Sequence, residues 1–227
     1  MSVFCIIPAR GGSKGVPQKN IRSFLGRPLI EHSIAYARSA DQVDRVFVST
    51  DDDQIADISS RAGADIIVRP AELSGDTAST ESAISHAIKE WQGANITPDI
   101  IVLLQATSPL RPEGSLDTAL KHFVQEDFDS LLSISPTHRF FWQVKGREAE
   151  AMYDYMHRPR RQDMKESDKR FIENGSVYIF TTDHFKKTGN RLGGKIGYTI
   201  FPEDYSLEID SLHDFKLLEE LATKMKQ

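Results

Sequence analysis

Val3-Phe4-Cys5-Ile6-Ile7-Pro8-Ala9-Arg10-Gly11-Gly12-Ser13-Lys14-Gly15-Val16-Pro17-Gln18-Lys19-Asn20 is an apolar run that passes without a break into a basic, glycine-rich loop. A short apolar run ended by turn residues reads as a strand buried on both faces, the kind found in parallel sheets. Val46 to Thr50, Asp65 to Val68, Ile100 to Gln105, Leu131 to Ile134 and Val177 to Phe180 read the same way. Pro28 to Ala40, Asp53 to Ala62, Ser79 to Trp91, Glu113 to Gln125 and Ser211 to Lys226 read as amphipathic helices. Leu29, Ile30, Ile34 and Ala37 share one helical face, as do Ile84, Ala87, Ile88 and Trp91, so these are core stripes. Strands alternating with helices predict an α/β fold, a mostly parallel sheet flanked by helices, and 227 residues suit one large domain.

The loop after the first strand stands where ligands bind in open α/β sheets, beyond the carboxyl ends of the strands. Three glycines let backbone N–H groups approach a phosphate chain, and Arg10, Lys14 and Lys19 bring neutralising charge. Gly15 is followed by Val16 and Pro17, which excludes a Walker A loop, and the glycine spacing excludes the dinucleotide fingerprint.

Charge points the same way. The net charge is −5, yet Met1 to Ile30 holds no acid, so all 33 acidic side chains lie beyond it. A local positive field in an acidic protein predicts a small anionic ligand; no basic stripe with interleaved aromatics supports nucleic acid. The single cysteine, Cys5, lies inside the first strand and reads as a buried thiol in a reducing compartment. No signal sequence or membrane span is read, which predicts a soluble, cytoplasmic protein without membrane partners. No G-x-S-x-G elbow occurs, and the seven histidines show no metal-ligand spacing.

The segment 136–173 breaks the α/β rhythm with Phe140, Phe141, Trp142, Arg158, Arg160 and Arg161. It reads as an inserted lobe. The expected division is 1–135 with 174–227 as the main α/β domain, and 136–173 as an inserted lobe, lid or oligomerisation element.

The string A-R-G-G-S-K-G-x-P-x-K-N resembles the N-terminal signature of the acylneuraminate cytidylyltransferases, or CMP-sialic acid synthetases. V-S-T-D at Val48 to Asp51, R-P-A-E-L at Arg69 to Leu73 and D-T-A-S-T at Asp76 to Thr80 continue the match. L-L-Q-A-T-S-P-L-R at Leu103 to Arg111, R-Q at Arg161 to Gln162 and E-N-G-S-V-Y-I at Glu173 to Ile179 extend it along nearly the whole chain.

The resemblance implies a Rossmann-like fold that transfers CMP from CTP to the anomeric hydroxyl of a nine-carbon acidic sugar and releases pyrophosphate. It implies that Arg10, Lys14 and Lys19 hold the triphosphate with Ser13 beside them, and that Asn20, Arg69, Ala78 and Thr80 contact the nucleotide. Asn20 also reads as a turn cap and Thr80 as a helix N-cap. Gln105, Arg161 and Tyr178 are implied as sugar contacts, with Arg161 suited to a carboxylate through its planar fork. Arg161 would serve its own pocket or that of the neighbour in a homodimer. Arg111 is open between a site role and a structural one. Arg10, Lys14, Lys19, Arg161 and Asp210 form the implied catalytic set.

Nucleotidyl transfer calls for a hard cation, here Mg²⁺. Alternation in Leu207-Glu208-Ile209-Asp210 puts Glu208 and Asp210 on one side as metal ligands. The family usually carries aspartate where Glu208 stands, so its extra methylene would shift the metal outward or bind it through water; some members place a lysine near Trp142, and that departure leaves the sugar open among sialic, legionaminic and related acids. Asp210 or Asp214 at the start of the last helix also reads as a cap. An enzyme acting on an eight-carbon acid, as CMP-Kdo synthetases do, and an inactive nucleotide-binding module are the alternatives.

Overall fold

The computed structural model describes residues 1–13, 15–164 and 169–225, with the side chain of Arg161 also outside the described set. The chain opens with β1 (Val3–Pro8), followed by a tight hairpin, β2 (Ser23–Phe24) and β3 (Arg27–Pro28). Next come α1 (Leu29–Arg38), β4 (Arg45–Thr50), α2 (Asp53–Arg61) and β5 (Asp65–Val68), then α3 (Thr80–Gly93), β6 (Ile100–Leu104), α4 (Ser115–Gln125) and β7 (Ser130–Thr137). A second hairpin, β8 (Trp142–Lys145) and β9 (Glu148–Ala151), precedes β10 (Arg170–Thr181), α5 (Thr182–Thr188), β11 (Ile196–Ile200) and α6 (Leu212–Met225).

Seven strands form one sheet in the order β5-β4-β1-β6-β10-β7-β11. β4, β1, β6 and β5 run parallel, as do β7 and β11, while β10 is antiparallel to both of its neighbours. The period of two sorts the strand residues into two cores. Val3, Cys5 and Ile7 of β1 and Ile100, Val102 and Leu104 of β6 face α1, α2 and α4. Phe4 and Ile6 of β1 and Ile101 and Leu103 of β6 face α3 and α5, where Trp91 packs edge-on against Phe4. Both faces of the central strands are covered, which is why their sequences are continuously apolar. Cys5 is fully buried, and burial pushes its thiol pKa up, away from reactivity.

The outer strands differ from the sequence reading. β7 reaches Thr137 and β10 starts at Arg170, because the two pair from Arg170 opposite Thr137 to Glu173 opposite Ile134. This ladder forms between distant segments, and local apolar patterning carries little trace of it. β11 and α5 were absent from the sequence reading; Gly197 interrupts the β11 run, whose Ile196, Tyr198 and Ile200 are exposed at the sheet edge. The β8–β9 hairpin forms a separate two-stranded sheet between β7 and β10.

A third core fixes the site. Val16 from the glycine-rich loop, Phe24 and Leu29 from the hairpin region, Ile209 and the α6 residues Phe215 and Leu218 pack together. Residues near both ends of the chain are thereby clamped to each other.

Candidate active site

The sheet order places β1 between β4 on one side and β6 on the other, and the crevice opens at the carboxyl ends of β1 and β6. Their register sets Ile6 opposite Leu103, so that Pro8 comes level with Gln105 two residues on. A cavity of about 310 Å³ lies there, lined by Arg10, Ser13, Lys19, Asn20, Thr80, Gln105 and Asp210 among others. A second cavity of about 230 Å³ shares Pro8, Arg10 and Thr80 with it and adds Arg69, Asp76, Ala78 and Ser79. Arg10 stands in the common wall. One cleft thus gathers nine of the residues singled out from the sequence.

The loop is held from several directions. The amide of Gly11 donates to Asp51 Oδ1 at 3.1 Å, and a Cβ on Gly11 would lie 2.7 Å from Asp52 Oδ2. Asp52 is engaged as the N-cap of α2, accepting from the Ile55 amide at 2.9 Å, so it has little room to yield. Asn20, buried, donates through Nδ2 to the Arg10 carbonyl at 3.0 Å; it braces the loop as well as lining the cavity. Arg10 itself spans the cleft, donating to the Gly75 carbonyl at 2.9 Å and pairing with Asp76 at 3.2 Å. Lys19, its side chain only 12% exposed, donates to the Ile209 carbonyl at 2.7 Å and pairs with Asp210 at 3.2 Å. Lys14 and the side chain of Arg161 lie outside the described residues.

Arg69 is 7% exposed, donating to the Ser49 carbonyl at 3.0 Å while its buried Nε has no protein partner. Burial lowers its guanidinium pKa, which Asp51 partly restores and Arg10 lowers further. Two guanidinium groups so placed favour an anion between them. The N-cap of α3 is Ser79, which accepts from the Ser82 amide at 3.1 Å; Thr80 is the first helical residue, correcting the capping role considered for it.

The carboxylate segment adopts the expected alternation. Ile209 is fully buried in the third core, and Glu208 and Asp210 fall to the opposite side. Glu208 is half-buried, and desolvation first, then Asp210 and Glu173, raise its pKa, with Lys19 opposing. Ser211 and Asp214 make the reciprocal cap of α6: the Ser211 amide donates to Asp214 at 2.7 Å and the Asp214 amide to Ser211 Oγ at 3.3 Å. Ser211 is therefore the N-cap with Asp214 as its reciprocal partner, and Asp210 is left facing the cavity. Glu208 stands behind it against Gly175, where a Cβ would collide with its Oε1 and lie 2.7 Å from Gln105 Oε1. Gly175 has φ of +64° at the register shift of β10, a conformation suited to glycine.

Tyr178 is placed differently from the cavity residues. It is buried in the second core, donates its hydroxyl to Glu173 Oε1, and carries the Arg191 guanidinium 4.5 Å from its ring centre. Burial and the neighbouring Glu173 carboxylate raise its pKa. Arg191 also pairs with Glu81 in the first turn of α3. Sequence reading passed over Asp51, Asp52, Gly175 and Arg191. The quoted V-S-T-D and E-N-G-S-V-Y-I strings contain Asp51 and Gly175, but their roles depend on what the fold brings opposite.

Known proteins resemble this chain in sequence and in fold. The chain is 36% identical over 223 residues to the N-acylneuraminate cytidylyltransferase of Oncorhynchus mykiss, covering 96% of this chain and 50% of that protein. It thus spans about half the length of that relative. It is 31% identical to the pseudaminic acid cytidylyltransferase of Campylobacter jejuni, covering 95% of this chain and 94% of that one. Among solved structures, CMP:2-keto-3-deoxy-manno-octonic acid synthetase complexed with CTP has a TM-score of 0.73 at 16% identity, covering 99% of this chain and 100% of that one. 4-Diphosphocytidyl-2C-methyl-D-erythritol synthase follows at 0.67 and 10%, covering 97% of this chain and 99% of that one. At such identities the two likenesses show the fold alone. The family profile described as Cytidylyltransferase matches residues 4–226, and the chain belongs to this family.

Proposed function

We propose that the protein transfers CMP from CTP to the anomeric hydroxyl of a nine-carbon acidic sugar of the sialic, legionaminic or pseudaminic type, with release of pyrophosphate. One observation carries the reading: a single cleft at the ends of β1 and β6 holds a glycine-rich cationic loop on one wall and Gln105 with Asp210 on the other. Arg10, Lys14 and Lys19 would grip the triphosphate, aided by Ser13. Arg69, Ala78 and Thr80, around the adjoining cavity, would receive the nucleoside. Gln105 would orient the sugar, Arg161 would take its carboxylate, and Tyr178 would support that side through Glu173 and Arg191. The sugar hydroxyl attacks the α-phosphorus in line, and positioning with charge stabilisation supplies most of the catalysis.

Glu208 and Asp210 fit a hard divalent cation. Burial first and the Asp210 carboxylate second raise the pKa of Glu208, and a nearby positive charge would offset both. Among the described residues no group of three or more His, Cys, Asp or Glu side chains could hold a metal, so phosphate oxygens and water would complete the shell, the habit of Mg²⁺. The cation would offset charge on the triphosphate.

The segment between β7 and β10 would join two copies in a homodimer. In support, Phe141, Trp142, Met152, Tyr155 and Met156 are exposed there. Among the described residues no helix is long and apolar enough to cross a membrane.

The test is pyrophosphate release with CTP and Mg²⁺ against a panel of nonulosonic acids and an eight-carbon acid. Release with one or more nine-carbon acids is expected; release with the eight-carbon acid alone, or with none, would overturn the proposal.

A further inference from the structure

We infer that Arg111 is a positioning residue that sets the acceptor side of the cleft by holding the loop from Gln105 to Arg111 closed; the inference rests on the proposed reading of that side as the sugar half.

Arg111 is 9% exposed, and among the described residues no carboxylate pairs with it. Its guanidinium donates to three groups on three elements. Nη2 reaches the Gln105 carbonyl, where β6 ends, at 2.8 Å, and the Ser176 carbonyl of β10 at 3.2 Å; Nη1 reaches Ser33 Oγ of α1 at 3.0 Å. The guanidinium also lies 5.1 Å from the ring centre of Tyr36. Burial lowers its pKa to about 10, so the group stays charged near neutrality at a real desolvation cost. A planar fork can serve diverging carbonyls in this way; a lysine ammonium cannot match its geometry.

Each carbonyl it holds lies next to a feature of the cleft. Gln105 lines the cavity with Ala106 and Thr107, and its side chain meets Gly175, the neighbour of Ser176. The Ser108 amide also donates to the Gln105 carbonyl at 3.2 Å, closing the loop on the atom that Arg111 grips. From the same loop the Thr107 carbonyl accepts from the Ile209 amide at 2.8 Å, between Glu208 and Asp210. Movement of the loop would therefore displace Gln105 and the carboxylate pair together. Arg10 and Arg69 are secured separately, by Gly75, Asp76 and Ser49, so the nucleotide side would stay in place.

The test compares wild type with Arg111→Met, Arg111→Lys and Ser33→Ala by amide exchange, CTP dissociation constant, sugar KM and thermal midpoint. Arg111→Met should speed exchange at Ile209 and Ser108 roughly tenfold or more and raise the KM for the sugar acid by about tenfold, with CTP affinity within about twofold. Arg111→Lys should recover part of the thermal midpoint while keeping most of the KM defect. A lowered midpoint with unchanged exchange and sugar KM would overturn the inference, as would equal losses toward CTP and sugar. Should both Arg111 variants fail to fold, Ser33→Ala decides: faster Ile209 exchange supports the inference and unchanged exchange overturns it. If the wild type transfers no CMP, the proposed function fails while amide exchange still decides whether Arg111 holds the loop.

Discussion

The ammonium of Lys19 lies 2.7 Å from the Ile209 carbonyl and 3.2 Å from Asp210, so the glycine-rich loop is bonded directly to the carboxylate segment near the other end of the chain. A charge-assisted bond of a largely buried group contributes about 1.5–3 kcal/mol. Lys19→Met should therefore lower the thermal midpoint and also cut turnover at least about 100-fold. Thermal denaturation and pyrophosphate release measure the two effects; loss of stability with full turnover would leave Lys19 a structural tether only.

Among the described residues the Arg10 side chain bonds at the cleft rim, to the Gly75 carbonyl and Asp76, and it stands in the wall common to both cavities. Arg10→Ala should reduce kcat/KM by about 100-fold or more while changing the thermal midpoint little. Steady-state kinetics beside circular dichroism checks this, and retained activity would remove Arg10 from the phosphate site.

The raised pKa of Glu208 carries a sign. A carboxyl raised on folding favours the folded state fully below its ordinary value of 4.5, and that contribution is lost as pH rises through the folded-state value. Glu208→Gln should accordingly be more stable than wild type near neutrality without metal, with the difference vanishing below about pH 4. Added Mg²⁺ should stabilise wild type more than this variant. Asp210→Asn should raise the Mg²⁺ concentration needed for half-maximal turnover about tenfold or more. Thermal melts across pH and a metal titration give the answers; an Asp210→Asn titration that overlays wild type would contradict its assignment.

At Gly175 a methyl group meets both a left-handed φ of +64° and the side chains of Gln105 and Glu208. Gly175→Ala should cost about 1–3 kcal/mol and raise the sugar KM. Chemical denaturation with sugar-dependent kinetics measures it, and wild-type values in both would show that the two side chains step aside freely.

Arg161 and Lys14 are assigned from sequence alone. If Arg161 serves the neighbouring subunit, mixing inactive Arg161→Ala with inactive Lys14→Ala protein should restore up to about a quarter of wild-type activity in heterodimers. Activity that stays at the level of the separate variants would place Arg161 in its own subunit's pocket.

Local sequence already determined much of this protein. Central strands are buried on both faces, so their apolar runs announce themselves, and helices with a single apolar stripe do likewise. A phosphate-binding loop needs glycine and cationic side chains close together in the chain, so Arg10, Lys14 and Lys19 were legible as a set, while Ser13 entered only through the family resemblance. Alternation alone put Glu208 and Asp210 on one side, because Ile209 between them belongs to a core. Only the tertiary structure decided what depends on segments far apart in the chain. The extended pairing of β7 with β10, the edge strand β11 and the burial of Tyr178 away from the cavity arise from partners that no local pattern names. Whether Asp210 or Asp214 joins the cap of α6 turned on which carboxylate reached the Ser211 amide, and the place of Arg111 turned on two carbonyls, Gln105 and Ser176, that meet only after β6 and β10 are side by side. Periodicity records which way a side chain points; hydrogen-bond partners are settled by what packing brings within about 3 Å.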